Sequence, residues 1–390
     1  NLCGVVGLYF FKRHTKNIML THHSSWSVPL PDVPLLAVLP GTGGLTRVTD
    51  KRKVRRDLAD VFCSVEEGVK GKRAKDWRLV DEVIPNSKFD DTVAARAKEF
   101  AETSSKSDVD AGIKLTPLDR TITDTGVTYS TVEVEIDRAK RVATLTIHGP
   151  EEDAPADATA LAAQGADAWI LRCARELDDA ILHLRLNERE AGLLVFRTQG
   201  DPSRVLGHER LLTENADHWL ANEILHYWKR VLKRIDMTSR SMVALVEHGS
   251  CFAGVLAELL WSVDRSYMME DEFEGDNRPM AVIRLSEGNF GRYPMSNGLS
   301  RLETRFWGDD AAVEAARAAI GEALEAEEAD ALGLVTYILD DIDWDDEIRL
   351  FVEERASFSP DAVTGMEANL RFAGPETMET RIFGRLTAWQ

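Results

Sequence analysis

The chain has 390 residues, of which 44% are hydrophobic and 29% charged, and its formal net charge at pH 7 is −19. This length can bury a large core and predicts two domains, and the negative charge disfavours non-specific binding to nucleic acid or to anionic lipid. No apolar stretch is long enough to span a bilayer. The four cysteines show no disulfide or metal spacing, which indicates a cytoplasmic protein.

The predicted elements alternate between helices and strands in chain order. Apolar residues at helical spacing predict helices over 51–67, 93–101, 169–184 and 218–235. Alternating apolar residues around a polar turn predict a β-hairpin over 131–147, and 192–197 is a short buried-strand candidate. The segment between the second helix and the hairpin is rich in Ser, Thr, Asp and Gly. We therefore expect an α/β fold with a first domain over 1–115, a linker over 116–130 and a second domain over 131–390.

Two phrases of the sequence occur twice at nearly constant separation. PGTGGLTR at Pro40–Arg47 and PMSNGLSR at Pro294–Arg301 are 254 positions apart. AKDWRLV at Ala74–Val80 and ADALGLV at Ala329–Val335 are 255 positions apart. Repetition at one spacing predicts two copies of one domain.

The segment Met242–Asp264 predicts a strand, a turn of small residues and an apolar helix. Such a turn can present free backbone N–H groups to a negative oxygen, although small residues there also simply allow close backbone packing. Within the helix, Glu258 stands among leucines and Trp261, where a carboxylate must be solvated or paired. An acid in a first helical turn is the alternative explanation of Glu258.

A second acid, Glu287, precedes Pro294 and its glycine phrase by seven residues. Two carboxylates in different environments can act as general acid and general base. Glu258 and Glu287 are therefore candidate catalytic residues.

These motifs together resemble the crotonase (enoyl-CoA hydratase/isomerase) superfamily, twice over. In that family the first motif is a glycine-rich helix start that contains a glutamate. A Pro-Glu pair, a PGxGGxxRL phrase and a helix that ends in AxxxGLV then follow in that order. The second copy matches at Glu287, Pro294, Gly298, Arg301 and Gly333, and the first copy matches at Asp32, Pro40, Gly44 and Arg47. The resemblance implies tandem crotonase-like β-β-α spiral domains in the α/β class, the first one incomplete.

The resemblance also implies chemistry on an acyl-CoA thioester. The phrases 33–62, 73–85 and 244–268 are similar to members that cleave 2,3-epoxybenzoyl-CoA with water to formate and 3,4-didehydroadipyl-CoA semialdehyde. It implies no cofactor, because CoA is part of the substrate, and it implies a homo-oligomer. Backbone N–H groups would hold the thioester oxygen, one of them at Gly7 and the other before Asn1.

The first copy departs from the family at two positions. Phe10 stands where a catalytic glutamate is expected, and Asp32 stands for the second glutamate, one methylene shorter. Because the basic and aromatic stretch Leu8–Trp26 does not resemble a buried helix, we interpret it as a locally altered reading frame. Activity is therefore expected to be impaired in this chain.

Two other functions remain possible from the sequence. A non-catalytic CoA-thioester binder or scaffold would agree with Phe10 and Asp32, and a hydratase-like site in the second copy would use Glu258 and Glu287. Bulky Val255 and Leu256 argue against the second possibility, because they would crowd a thioester oxygen. PGTGG lacks the spacing of a dinucleotide fingerprint, and the pair His22–His23 lacks a third metal ligand.

Overall fold

The computed structural model describes residues 17–22, 26–30, 32–37, 43–103, 112–270 and 278–384. The chain forms two compact units, 1–111 and 112–390. Both contain helices and strands, which confirms the α/β prediction. Among the residues described, no helix has both the length and the apolarity that crossing a membrane requires.

The first unit contains two small sheets and a few helices. β1 pairs parallel with β4, and β2 pairs antiparallel with β3. Its strands are β1 (Met19–Thr21), β2 (Ser27–Val28), β3 (Val69–Lys70) and β4 (Glu82–Ile84). Its helices are α1 (Gly44–Thr46), which continues into a π-helical turn (Arg47–Lys51), α2 (Arg56–Ser64), α3 (Gly71–Asp76) and α4 (Phe89–Glu102). Phe62, Val48 and Leu79 are fully buried at its centre.

The second unit is built on an eight-stranded sheet in the order β12-β11-β10-β9-β8-β7-β6-β5. Neighbours from β5 to β8 are antiparallel and those from β8 to β12 are parallel. The strands are β5 (Thr121–Thr123), β6 (Gly126–Thr128), β7 (Val132–Asp137), β8 (Val142–His148), β9 (Leu193–Gln199), β10 (Ser241–Val246), β11 (Arg265–Met269) and β12 (Tyr337–Leu339). Every residue of β10 is buried, as expected for a central parallel strand covered on both faces.

Eleven helices of this unit lie within the described residues. They are α5 (Ala158–Gln164), α6 (Trp169–Asn187), α7 (Pro202–Glu214), α8 (Trp219–Asp236), α9 (Glu258–Ser262), α10 (Arg301–Arg305), α11 (Asp310–Ala318), α12 (Ala326–Ala331), α13 (Asp341–Ser357), α14 (Pro360–Leu370) and α15 (Met378–Gly384). The apolar stripes of α6 and α8 face the core, where Trp228, Leu177 and Ile235 are completely buried. Helices α5 to α13 and the sheet contribute to one continuous core.

The segment predicted as a linker over 116–130 needs correction. It contains β5 and β6, which pair with each other and, through β6, with β7. Val127 is 1% exposed because β6 lies beside β7, so this segment extends the sheet of the second unit. Backbone hydrogen bonds to an already formed strand allow a Thr- and Asp-rich stretch to become an edge strand.

The repeated AxxxGLV-type phrases end their helices in the same way. Arg78 and Gly333 both adopt left-handed backbone, with φ of 62° and 66°. The next residue of each copy, Leu79 and Leu334, donates its backbone N–H to the carbonyl five residues earlier, at 2.9 and 2.8 Å. A parallel strand begins three residues later in both copies, as β4 and β12. An antiparallel backbone pairing also recurs, between Val28 and Val69 and between Ile283 and Leu324.

The glycine phrases differ locally. Pro40 lies outside the described residues, and α1 begins at Gly44, directly after the left-handed Gly43. In the second copy the left-handed residue is Gly298, one place later in the phrase, and α10 begins at Arg301. The two turns are not equivalent over the described part, and the tandem arrangement stays a prediction.

Candidate functional site

Glu258 is the first residue of helix α9, and its side chain is 1% exposed. The Nδ2 atom of Asn289 donates a hydrogen bond to Oε1 of Glu258 at 2.8 Å. A guanidinium nitrogen of Arg301 donates to Oε2 at 2.7 Å. Both carboxylate oxygens are therefore engaged inside the protein.

Arg301 joins Glu258 to a second buried acid, Asp236 at the end of helix α8. Its guanidinium donates two hydrogen bonds to the Asp236 carboxylate, at 3.0 and 2.7 Å, and one to the backbone carbonyl of Tyr293, at 2.8 Å. The side chain of Arg301 is completely buried. One cation thus serves two carboxylates, and the cluster connects helices α8, α9 and α10.

Burial in this cluster changes proton binding by its carboxyl groups. Desolvation raises the pKa of Glu258 to about 7, although Arg301 and Asn289 oppose the change. Desolvation also raises the pKa of Asp236, again against the opposing effect of Arg301. Desolvation thus outweighs the one positive charge that the two buried acids share, and it raises the pKa of both. Removing the arginine would leave both acids without their cation.

Glu287 has a different environment. Its side chain is 80% exposed, and its Oε2 lies 3.6 Å from a guanidinium nitrogen of Arg317. It begins a short 3-10 turn (Glu287–Phe290) that the Ser286 side chain caps. The structure therefore places Glu258 in a core cluster and the Glu287 side chain in solvent. The catalytic role of either residue stays a prediction.

Sequence reasoning missed a third acid, Glu209 on helix α7. It is 2% exposed, and its Oε1 has no hydrogen-bond partner among the described residues. Burial raises its pKa. The signal was present in the sequence, because Glu209 follows Val205 by four residues and precedes Leu212 by three, which places it on the buried stripe of the helix.

The small residues of the turn before Glu258 give room for this acid. Gly254 has φ of 48°, a backbone conformation that favours glycine, and a Cβ built there would overlap Oε2 of Glu209. Val255 and Leu256 are completely buried. Close side-chain packing therefore explains the glycine at 254.

Little of the first unit's predicted site falls within the described residues. Gly7 and Phe10 lie outside them. Asp32 lies in a partly exposed turn. Burial raises the thiol pKa of nearby Cys63 to about 11, with smaller contributions from the charges of Asp60 and then Asp32. The described ranges hold no group of three or more potential metal ligands.

A cavity of about 1020 Å³ opens between the sheet and helix α13 of the second unit. Its wall includes Arg197 and Glu247, which are joined by two hydrogen bonds of 2.5 and 2.7 Å, and Trp344, whose indole N–H donates to Glu247 at 3.2 Å. The predicted residues Glu258 and Glu287 do not line it. The cavity is therefore separate from the candidate acid pair.

Comparison with known proteins supplies the family. Benzoyl-CoA-dihydrodiol lyase of Aromatoleum evansii is 52% identical to this chain over 373 residues. The chain belongs to the family of this lyase. The alignment covers 96% of the chain and 66% of the relative, so the chain spans just under two thirds of the relative's length. A scan against family models found no match.

Solved structures give looser superpositions. An enoyl-CoA hydratase/isomerase from Cupriavidus metallidurans CH34 is 16% identical, with a TM-score of 0.45, and covers 67% of this chain and 86% of its own. An enoyl-CoA hydratase from Mycobacterium avium subsp. paratuberculosis K-10 is 14% identical, with a TM-score of 0.42, and the superposition covers 66% of this chain and 92% of the hydratase. Superpositions this loose support no conclusion about the chain.

Proposed function

We propose that this chain is part of an acyl-CoA lyase of the crotonase superfamily that acts on a benzoyl-CoA derivative. The observation that carries the proposal is the 52% identity to benzoyl-CoA-dihydrodiol lyase along almost the whole chain. The proposed reaction is ring cleavage of 2,3-epoxybenzoyl-CoA with two waters, which releases formate and 3,4-didehydroadipyl-CoA semialdehyde. The enzyme would use no separate cofactor and would act in the cytoplasm as a homo-oligomer.

The proposed architecture is a tandem of two crotonase-like units. Its support is that three features each occur twice, once in each unit, at the same separation along the sequence. They are a helix end, the strand that follows it, and an antiparallel backbone pairing. Arg78 and Gly333 have φ values within a few degrees of each other, although only one of them is glycine. A left-handed arginine is uncommon, so the shared conformation follows from the shared helix end rather than from residue type.

We assign the chemistry to the first unit and a supporting role to the second. Both oxygens of Glu258 accept hydrogen bonds from Arg301 and Asn289, and the Glu287 side chain is in solvent. An acid and a base that act on one substrate must both reach it, which this placement disfavours. In the first unit, Gly7 would donate a backbone N–H to the thioester oxygen and Asp32 would exchange protons with water.

Formate release tests the proposal. The purified chain would be incubated separately with 2,3-epoxybenzoyl-CoA and with the dihydrodiol of benzoyl-CoA, and formate would be measured enzymatically. We expect slow turnover of the epoxide, since Phe10 replaces a group whose role in general acid–base catalysis is worth about 10² to 10⁴-fold. The double variant Phe10→Glu, Asp32→Glu should be faster. Measurable turnover at equal rates by both proteins would contradict the assignment to the first unit.

The phenylalanine at position 10 favours one alternative, a unit that binds a CoA thioester without chemistry. Calorimetric titration with benzoyl-CoA distinguishes it, because such a unit would bind the thioester while neither protein releases formate. A third outcome would assign a hydratase site to the second unit: the unaltered protein hydrates crotonyl-CoA, and Glu258→Gln abolishes this activity.

A further inference from the structure

Glu209 is a buried acid with an incompletely satisfied carboxyl group. Its Oε1 lacks a hydrogen-bond partner among the described residues, and the hydroxyl of Tyr293, also buried, likewise lacks one. The hydroxyls of Ser286 and Tyr293 and the guanidinium of Arg292 are the groups near enough to lower its pKa. Burial acts more strongly than these groups and raises the pKa of Glu209 above its ordinary value.

The carboxyl group of Glu209 lies against two glycines from different parts of the chain. A Cβ at Gly288 would be 2.5 Å from its Oε1, and a Cβ at Gly254 would overlap its Oε2. Gly288 has no left-handed backbone that would require glycine, so the lack of space excludes a side chain there: Oε1 of Glu209 is the nearest atom, and Ser286 Oγ and Tyr293 Cε2 follow at 3.1 Å. Leu206 closes the space from helix α7, with its Cδ2 atom 3.3 Å from the same Gly254 position.

This space adjoins the turn whose small residues predicted an oxygen-binding site. Gly254 is four residues before Glu258, and Gly288 directly follows Glu287. The Asn289 side chain links the two segments by donating to the Gly254 carbonyl at 2.9 Å and to Glu258 at 2.8 Å. A carboxyl group of the protein itself therefore occupies the position between the two acid-bearing segments.

We propose that Glu209 is a built-in ligand of the second unit: its carboxyl group fills a carboxylic-acid site formed by Gly254, Gly288, Ser286 and Tyr293. While it is in place no external ligand can enter. Shortening the side chain opens a site for a small carboxylic acid. The proposal concerns the second unit alone and does not depend on which thioester the chain acts on.

Acetate is the matched probe for Glu209→Ala. The substitution removes a methylene, a carboxyl carbon and two oxygens, and acetate supplies a methyl group with the same carboxyl atoms. We expect Glu209→Ala to lower the Tm, and 100 mM sodium acetate to restore more than half of that loss relative to 100 mM sodium chloride, because binding to the folded state raises stability by mass action. Formate, without the methyl group, should restore less.

Two variants at the same position serve as controls. Glu209→Leu fills the space with apolar atoms, so acetate should not change its Tm beyond the effect of chloride. Glu209→Gln keeps the shape of the neutral acid, and it should have a Tm near that of the unaltered protein and no response to acetate. The proposal is wrong if acetate stabilises Glu209→Ala no more than it stabilises Glu209→Leu.

A second measurement keeps the proposal open to refutation if Glu209→Ala does not fold. Gly288→Ala should lower the Tm because its methyl group meets the Glu209 carboxyl group. Adding Glu209→Asp, which withdraws the carboxyl group by one methylene, should recover part of that loss. If the Tm losses of Gly288→Ala and Glu209→Asp simply add, the carboxyl group is not what fills the space.

Discussion

The buried Glu258 makes a specific prediction about stability and pH. Its pKa in the folded protein is about 7, against an ordinary value of 4.5. Between pH 4.5 and about 7, the folded state therefore holds a proton on Glu258 that the unfolded chain releases. The stability that this proton contributes is present in full below pH 4.5 and is lost as the pH rises through 7. Glu258→Gln removes this dependence because an amide does not titrate.

The size of the effect follows from the two pKa values. Between pH 5 and pH 8 the titration of Glu258 lowers the free energy of unfolding of the unaltered protein by about 2 to 3 kcal/mol. Glutamine also places an amide N–H₂ group against Arg301 or Asn289, which are both donors to the present carboxylate. That cost is the same at every pH. It therefore shifts the difference in free energy of unfolding between the two proteins by a constant and does not change how that difference depends on pH.

Denaturant unfolding at pH 5, 6, 7 and 8 measures the difference directly. Subtracting the free energy of unfolding of the unaltered protein from that of Glu258→Gln cancels the titration of groups that the two proteins share. We expect the difference to move in favour of Glu258→Gln by about 2 to 3 kcal/mol over this range. Glu287→Gln, at an exposed acid, is the control and should give a flat difference. A flat difference for Glu258→Gln would refute the burial argument.

Three further outcomes are expected. Arg301→Met should lower the free energy of unfolding in urea by about 3 to 5 kcal/mol, because it leaves two carboxylates buried without a cation, whereas Arg317→Met on the surface should cost less than about 1 kcal/mol. Glu287→Gln should leave formate release within a few-fold of the starting protein; a loss above 100-fold with unchanged circular dichroism would place Glu287 in the active site. Arg371→Met should speed amide hydrogen exchange in 360–370, and unchanged exchange would show that α14 is held by other contacts.

Local periodicity predicted those elements whose own residues specify them. The hairpin expected over 131–147 is β7 and β8, and the helices expected over 169–184 and 218–235 are α6 and α8. In each, apolar residues recur at the period of the element and face the core. Strand β6 and the edge strand β5 escaped prediction because pairing stabilises them, β6 with β7 and β5 with β6, rather than an apolar pattern of their own.

The candidate site was predictable only in part. The apolar neighbours of Glu258 indicated that it would be buried or paired, and it is both. Its partner Arg301 lies 43 residues away and Asp236 lies 65 residues from that arginine, so spacing along the chain could not connect them. Glu209 lies at helical spacing from Val205 and Leu212, which marked it as a buried position, but the two glycines that face it come from segments 45 and 79 residues away and could not be connected to it by spacing along the chain.

The attachment of helix α14 has a consequence for how the second unit is made. Arg371 donates to the Asp264 carboxylate at 2.7 and 2.8 Å and to the carbonyls of Thr238 and Arg240 at 2.6 Å, and Ser241 donates to Glu367 at 2.5 Å. These partners are 107 to 133 positions apart. At 5 to 20 residues per second, a ribosome needs on the order of ten seconds to deliver the later partner. During that interval Asp264 and the backbone carbonyls at the start of strand β10 lack the Arg371 guanidinium, so we expect the second unit to reach its full stability only after α14 and Arg371 have been synthesised.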